Sequence, residues 1–564
     1  MLIPLDPANR AAFFRQTLNR CLVSLESRAS QAATLRNYYL FGTEDSSGAS
    51  YNRIQPTVDL LQSFIFNRES AKFSVETGQT APIADRAKIP AINSELNEEW
   101  RDAATGSECD QAVRWALVYG CGLIKSLRTA NGFQSYYVPP YQFGVYREDL
   151  ALLDRQEAVV HAYRITMSQL EAQLSAHPER ERLLASLASN GTGENRAEPS
   201  GIQRILAASA ISTQNATQAS VTGSTAQEYD YAPQVDVPMV DMHELWVWDD
   251  LIADWRTVTL ANKEIIVYDR PNIGGVPGAL PFQAFVPFPL EDYFWGRSFV
   301  ATLARLQDWI TQRMGEIQDL LARQLDPPVV LPGWSGAVGE KLSSLYKPRG
   351  YIADPNPAVG KPEFLTPQIP QDALALIVAM ERMFDEMAGL SHVLKGGGDP
   401  GVRSEGHADL LSRLSSSRPK QLSLAIEASL ELVMHYLFRL MKVYSDTRYT
   451  DENGGEFVLG QFTTDFAVRV DAHSSSPIFI EDRKVDAMAL FRVKAIDRAS
   501  LIEFFDPPNK QMLLENLKKE EAKEKAAGQV QLALHEIDAV AKSKDPNIVI
   551  GLFQKLKAML QPKQ

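Results

Sequence analysis

Gly396, Gly398 and Gly401, with Lys395 just before them and Arg403 just after, come closest to a chemical motif in this chain. Gly-x-Gly-x-x-Gly spacing marks loops whose bare backbone lets N–H groups approach a pyrophosphate, and the flanking cations would add charge. That chemistry needs a strand before the glycines and a helix opening on them. Here the preceding pattern is helical, and Pro400 sits inside the motif and removes a donor. The segment is therefore read as a mobile loop rather than as a cofactor cradle, with Lys395 and Arg403 either solvated loop charges or candidates to touch phosphates. His392 and His407 are read as ordinary loop and helix-start residues. Cys21, Cys109 and Cys121 have neither CxxC spacing nor a nearby histidine pattern, which argues against a zinc site or a disulfide framework. No Walker motif, HExxH, GxSxG or catalytic cysteine pattern occurs, and nothing places paired carboxylates such as Asp249-Asp250 in a pocket. The expectation is a non-enzymatic protein with no cofactor, no metal and no catalytic residue.

The elements that must position this loop are two helices. Leu374, Leu376, Ile377, Met380, Phe384 and Met387 recur at helical spacing before it, as do Leu422, Ile426, Leu430, Val433, Leu437, Met441 and Tyr444 after it. Four glycines and a proline in the six residues from 396 to 401 cannot hold a helix between them. Upstream, Ser298 is a plausible N-cap for a long helix whose stripe is Phe299, Leu303, Leu306, Ile310, Met314, Ile317 and Leu321, ending at Asp326-Pro327-Pro328. From there to Pro370 the chain is rich in proline and glycine, with short apolar runs at Val329-Val330-Leu331 and Gly350-Tyr351-Ile352. An antiparallel helix pair with a small tip domain is the simplest geometry. Arg305, Arg313 and Arg323 fall on the polar side of the first helix of that pair. They are candidates to line a channel, with pairing to Asp308, Glu316 and Asp319 favoured. Lys341, Lys347 and Arg349 lie in the tip, available to a partner or simply solvated.

The remaining chain reads as α+β and mainly helical. Residues 1–40, Tyr51 to Phe66 and Ile92 to Leu123 carry helical patterns, the last with a C-terminal stop expected at Gly120 and Gly122, and Lys72 to Val75 a short strand. Strand signals follow at Phe133 to Val138, Phe143 to Tyr146, Val159 to Ile165, Glu244 to Trp248 and Ile265 to Tyr268. Between about 190 and 229 small and polar residues suggest a flexible insertion. Pro419 is expected to kink its helix. Phe457-Val458-Leu459 and Phe466 to Val470 look like a returning hairpin, and Phe479 to Ile496 and Ser500 to Phe505 look helical, with a helical tail beyond.

With 564 residues, 45% hydrophobic and 23% charged, the composition favours neither disorder nor a membrane protein. No apolar run reaches the roughly 18 residues of a spanning helix, and a cytosolic origin is the default. A net charge of -13 excludes nucleic-acid capture by bulk electrostatics. Any DNA contact must be local, or one of passage rather than grip.

Several segments together resemble the portal, or head-to-tail connector, protein of tailed bacteriophages. They are Tyr51 to Asp59; Pro281 to Gln307 with an aromatic-Gly-x-Ser turn; Met387-Ala388-Gly389-Leu390-Ser391 running into glycines and then Ser404 to Arg418; and Arg483 to Asp506. The resemblance implies a wing from residues 1–295, stem helices at 296–325 and 371–389, and a clip at 326–370. A tunnel loop at 390–405, a return to the wing over 406–507 and a helical crown at 508–564 complete it. It also implies a cyclic ring, usually of twelve subunits, at one capsid vertex, a channel for double-stranded DNA packaging and ejection. Implied partners are the terminase large subunit, a head-tail adaptor, and the major capsid and scaffolding proteins, with no membrane. The location implied is the virion, with host cytoplasm during assembly. Lys395, Gly396, Gly397, Gly398 and Arg403 would then meet DNA. The alternatives are another virion structural protein, an adaptor or capsid component, or a nucleotide-handling enzyme.

Overall fold

A computed structural model describes residues 1–44, 51–78, 81–102, 104–129, 132–191, 239–325, 327, 329–332, 351–354, 363–364, 371–390, 416–451, 454–470, 474, 476, 479, 487–505, 509 and 512–520. The chain forms two compact units, Met1–Ile478 and Phe479–Gln564. The tunnel-loop, tip and insertion expectations fall largely outside the described residues, as does the tail beyond 520.

The first unit begins with helices α1 (Pro7–Phe41) and α2 (Ile54–Ile65), strand β1 (Phe73–Thr77), and helices α3 (Ile83–Arg86), α4 (Ile89–Asp102) and α5 (Thr105–Tyr119). Strands β2 (Gly122–Thr129), β3 (Gly132–Val138), β4 (Phe143–Val145) and β5 (Ala158–Thr166) follow, then helices α6 (Met167–Gln173) and α7 (Arg180–Gly191). Strands β6 (Met239–Asp249), β7 (Asp254–Ala261), β8 (Ile265–Pro271) and β9 (Phe282–Phe285) lead to the long helix α8 (Phe299–Leu325). Short strands β10 (Val329–Pro332), β11 (Tyr351–Asp354) and β12 (Glu363–Phe364) precede helices α9 (Gln371–Ala388) and α10 (Ser417–Tyr444). The unit ends with strands β13 (Arg448–Thr450), β14 (Glu456–Val458) and β15 (Phe466–Val470). In the second unit, 487–492 is helical and α11 spans Arg498–Phe505.

Two sheets face each other across a core. One is an antiparallel meander in the order β4-β5-β6-β7-β8, the other is β3-β2-β9. Side-chain alternation assigns the faces of β5: Ala158, Val160 and Ala162 pack on Phe14, Leu18, Cys21, Leu22 and Leu25 of α1, whereas Val159 joins Leu123, Phe282 and Trp295 on the other side. The largest apolar cluster gathers α2, α4, α5, the first half of α8, α9 and α10.

Between the sheets the core is charged. Lys125 on β2 is 1% exposed and stands 2.5 Å from Glu244 Oε1 on β6, an oxygen that also accepts the Trp246 Nε1–H at 2.7 Å. The ammonium lies over the rings of Phe282 (5.2 Å) and Tyr136 (5.9 Å). His161, opposite Glu244 in the sheet, is held neutral well below the usual imidazole range by burial and by the Lys125 charge. His243, also buried, is pushed down to about 4 mainly by burial.

The structure corrects several expectations. The expected helix from Ile92 to Leu123 is two helices: Ala104 takes a left-handed φ of 54°, α5 stops at Gly120 (φ 94°), and Leu123 belongs to β2. A Cβ on Gly120 would come within 2.9 Å of the Trp295 carbonyl oxygen, so the stop is fixed by close approach to the entry of α8. Pro419 is the third residue of α10, where its ring displaces no intrahelical bond, so it does not kink the helix. The hairpin is made by β13 and β14, while Phe466–Val470 pairs with Phe73–Thr77 of β1. All three cysteines are buried free thiols, and burial pushes Cys21 and Cys121 up to about 12.

Two outcomes follow from the charged core. Lys125→Met or Glu244→Leu alone leaves an uncompensated buried charge and costs about 3–5 kcal/mol. The double variant K125M/E244L recovers most of it, as read by denaturant unfolding; equal costs that simply add would refute this coupling. Because His243 is neutral when folded, its contribution to stability is complete above the unfolded value of about 6.5 and is lost as pH falls towards about 4. Melting curves between pH 7 and pH 4.5 should therefore fall less steeply for His243→Gln than for the natural chain.

Candidate functional site

Helix α8 starts where its sequence provides a cap. Ser298 Oγ accepts the Ala301 N–H at 3.0 Å and donates to the Val118 carbonyl at 2.5 Å, tying the helix entry to α5. Its buried residues, Phe299, Val300, Leu303, Leu306, Gln307 and Ile310, all lie in the first half. The same apolar stripe then loses its cover by steps: Met314 and Ile317 are half-buried, Leu321 is 42% and Leu325 85% exposed.

A polar junction fixes α9 against α8. Gln307 is fully buried and fully satisfied. Its Oε1 accepts the Arg53 N–H at 3.1 Å, and its Nε2 donates to the Tyr51 carbonyl (2.7 Å) and Thr311 Oγ1 (3.0 Å). The Arg53 guanidinium reaches Glu381 at 2.6 Å and Asp385 at 3.1 Å on α9, and lies over the Phe384 ring. Tyr38 Oη donates to Asp308 Oδ2 at 2.8 Å. The early part of α8 therefore meets the late part of α9. At the other end, β10 follows α8 and pairs antiparallel with β12, which precedes α9, with Val329 opposite Phe364. The two helices run antiparallel, and a small sheet in the order β11-β10-β12 caps them, with β10 and β11 parallel.

The segment 391–415, which holds Lys395, Gly396, Gly397, Gly398 and Arg403, lies outside the described residues, but its two ends are defined. Gly389 closes α9 with φ 72°, Leu390 is buried, and Arg418 Nη1, just beyond the segment, donates to the Met387 carbonyl at 2.9 Å. A Cβ on Gly389 would lie 2.6 Å from the Arg418 side chain, so the chain exits and returns in contact with itself.

The three α8 arginines do not share one role. Arg313 pairs with Glu316 at 2.5 Å, one helical turn on. Arg305 places its guanidinium 5.4 Å over the ring of Trp309, which is 47% exposed. Arg323 is partly covered in the uncovered half of the helix. Of the expected partners, Asp308 is taken by Tyr38. Lys341, Lys347 and Arg349 lie outside the described residues. Sequence reading missed Arg53 and Arg418 because both act over hundreds or tens of residues. The available signal for Arg53 was Glu381 and Asp385, two carboxylates one turn apart, which call for a cation from elsewhere.

Among the described residues no cluster of histidine, cysteine or carboxylates is arranged to hold a metal, and no helix is long and apolar enough to cross a membrane. None of the curated proteins matches the chain. A family model for the phage SU10 portal protein matches residues 80–458, a span that includes α5, both sheets, α8, α9 and α10. That match covers more than half of the chain, which therefore belongs to the phage SU10 portal protein family, a family of tailed-bacteriophage portals.

Proposed function

We propose that copies of this chain close into a ring around a DNA passage, with α8 and α9 as its stem, the β10–β12 sheet as part of its clip, and segment 391–415 as its tunnel loop. The portal function and the place at the capsid vertex of the virion follow from the family, which is structural rather than catalytic. The ring, the division into wing, stem, clip and crown, and the named contacts are our reading.

One observation carries it. On α9 the buried seam is Ile377, Met380 and Phe384, yet apolar side chains continue past it on both flanks. At about 100° per residue, Leu376 (50% exposed), Met383 (54%) and Met387 (40%) lie to one side, and Leu374 (59%) and Val378 (47%) to the other. A helix made apolar on both sides of its own chain's contact is suited to neighbours on both sides. Repeated head-to-tail contact around a closed axis supplies such neighbours, whereas a two-fold dimer covers one patch twice. Exposed apolar surface of this kind marks an interaction site.

In such a ring DNA passes the loop residues Lys395 and Arg403, and the polar side of α8 with Arg305, Arg313 and Arg323 is a further candidate lining. Lys341, Lys347 and Arg349 in the clip are assigned to contact with adaptor or terminase. ATP hydrolysis is left to the terminase, and assembly takes place in the host cytoplasm.

Electron microscopy of the purified chain is expected to show rings with a central hole wide enough for a DNA duplex; a uniform compact monomer would sink the reading. Deleting Lys395 to Val402 should leave those rings intact but lower packaging or DNA retention. Loss of rings in that deletion would instead make the loop a structural element.

A further inference from the structure

We infer that α10 carries a second contact for duplex DNA, on the face formed by His435, Arg439 and Lys442, apart from the loop that would meet DNA in the passage. The inference rests on the portal function of the family and not on the ring. At about 100° per residue the three side chains fall within roughly 60° of one another on successive turns of the helix. All three are partly exposed. Leu432 (57% exposed) and Val443 (53%) border the face on one side, so it is open to solvent there.

Each group is held in place without being neutralised. Arg439 Nη2 donates to the Pro277 carbonyl at 3.1 Å. The Lys442 ammonium lies 5.1 Å from the Phe466 ring centroid and 5.7 Å from that of Phe462, and the His435 ring packs on Phe466 at 4.9 Å. Among the described residues none of the three has an ion-pair partner. The neighbouring carboxylates are largely engaged elsewhere. Glu431 accepts from Arg469 at 2.7 Å and from the Val470 N–H at 3.2 Å, and Asp85 is held by Lys88 at 2.8 Å and by the Thr464 hydroxyl. Asp465 attracts Lys442 but makes no ion pair with it. Burial, then the Arg439 and Lys442 charges, hold His435 below the usual imidazole range, and burial, then Arg439, lowers Lys442. Cations that depress one another's protonation are kept together by the fold, and an anion laid across them relieves their repulsion.

Position along the helix identifies the anion. Arg418, at the start of α10, is bonded to the Met387 carbonyl where segment 391–415 rejoins the chain. His435 and Lys442 lie roughly 25 and 36 Å farther along the helix, too far to be part of that junction. Cations on successive turns suit a linear polyanion better than a single phosphate. Duplex DNA, with one charge per roughly 1.7 Å, is the polyanion that a portal handles. In a chain of net charge -13, only a local group of cations such as this one can attract it.

Fluorescence anisotropy of the full chain with a labelled DNA duplex, between about 50 and 200 mM salt, tests this. Arg439→Gln combined with Lys442→Gln is expected to weaken binding about tenfold or more at the low-salt end, and to reduce the slope of log affinity against log salt by about 2. Arg439→Lys combined with Lys442→Arg keeps the charges and should keep the slope. Equal loss in both variants would mark these side chains as structural and overturn the inference, as would unchanged binding in the glutamine variant or a natural chain that binds no duplex. Affinity lost only with Lys395→Gln and Arg403→Gln would confine the contact to the loop, overturning this inference while leaving the passage intact. Poly-glutamate bound where duplex is not would make the face a protein contact and overturn it as well.

Discussion

The guanidinium of Arg53 reaches two carboxylates on α9 while its own backbone N–H is held by the buried amide of Gln307 on α8. Three distant parts of the chain thus meet in one polar knot, set into the largest apolar cluster. Glu381 and Asp385 are one helical turn apart and repel each other without the cation. The arginine side chain is only 18% exposed, so its attraction for them is less screened than that of a surface pair. Apolar packing alone would allow α9 to slide along α8 at modest cost, since leucine, methionine and phenylalanine contacts are not directional. The knot removes that freedom. The relative height of every residue on the two helices depends on it, and so does any contact that repeats around an axis.

Much of this scaffold was legible in the sequence because its signals are local. The α8 stripe, the Ser298 cap and the glycine stop after α5 are written within a few residues of where they act. The strands rich in aromatic and β-branched residues were also legible. β2 was not, because Lys125 and Arg128 break the apolar run that a buried strand normally shows. Lys125 is buried only because Glu244, more than a hundred residues away, meets it. The alternation of Phe466–Val470 marks a strand but cannot name β1 as its partner, because pairing is decided by tertiary packing. The break at Ala104 was hidden for the opposite reason: alanine is the best helix former and its Cβ disfavours a left-handed turn, so nothing local announces one.

The two polar features differ in what they do. Between the sheets, Lys125 and Glu244 are enclosed by aromatic rings and joined by a tryptophan N–H. An apolar pair of the same volume would hold the sheets at least as well. What an ion pair adds there is direction, since a one-residue slip of β2 would bury the lysine against apolar side chains. At the helix pair, the polar groups set register while apolar surface is left over on both flanks.

That leftover surface connects fold to function. Had the chain covered α9 itself, the helix pair would be finished as a monomer and its height relative to other copies would be arbitrary. In the ring we propose, apolar residues left beside a rigid register would let assembly read out that register, so that identical contacts recur around an axis. A net charge of -13 then suits the enclosed passage, because a polyanion held by many fixed cations would not slide. With only two cations between Lys395 and Arg403, each copy would touch passing DNA weakly. In the proposed ring, such contacts would keep the duplex centred through their number, while the release of any one would cost little.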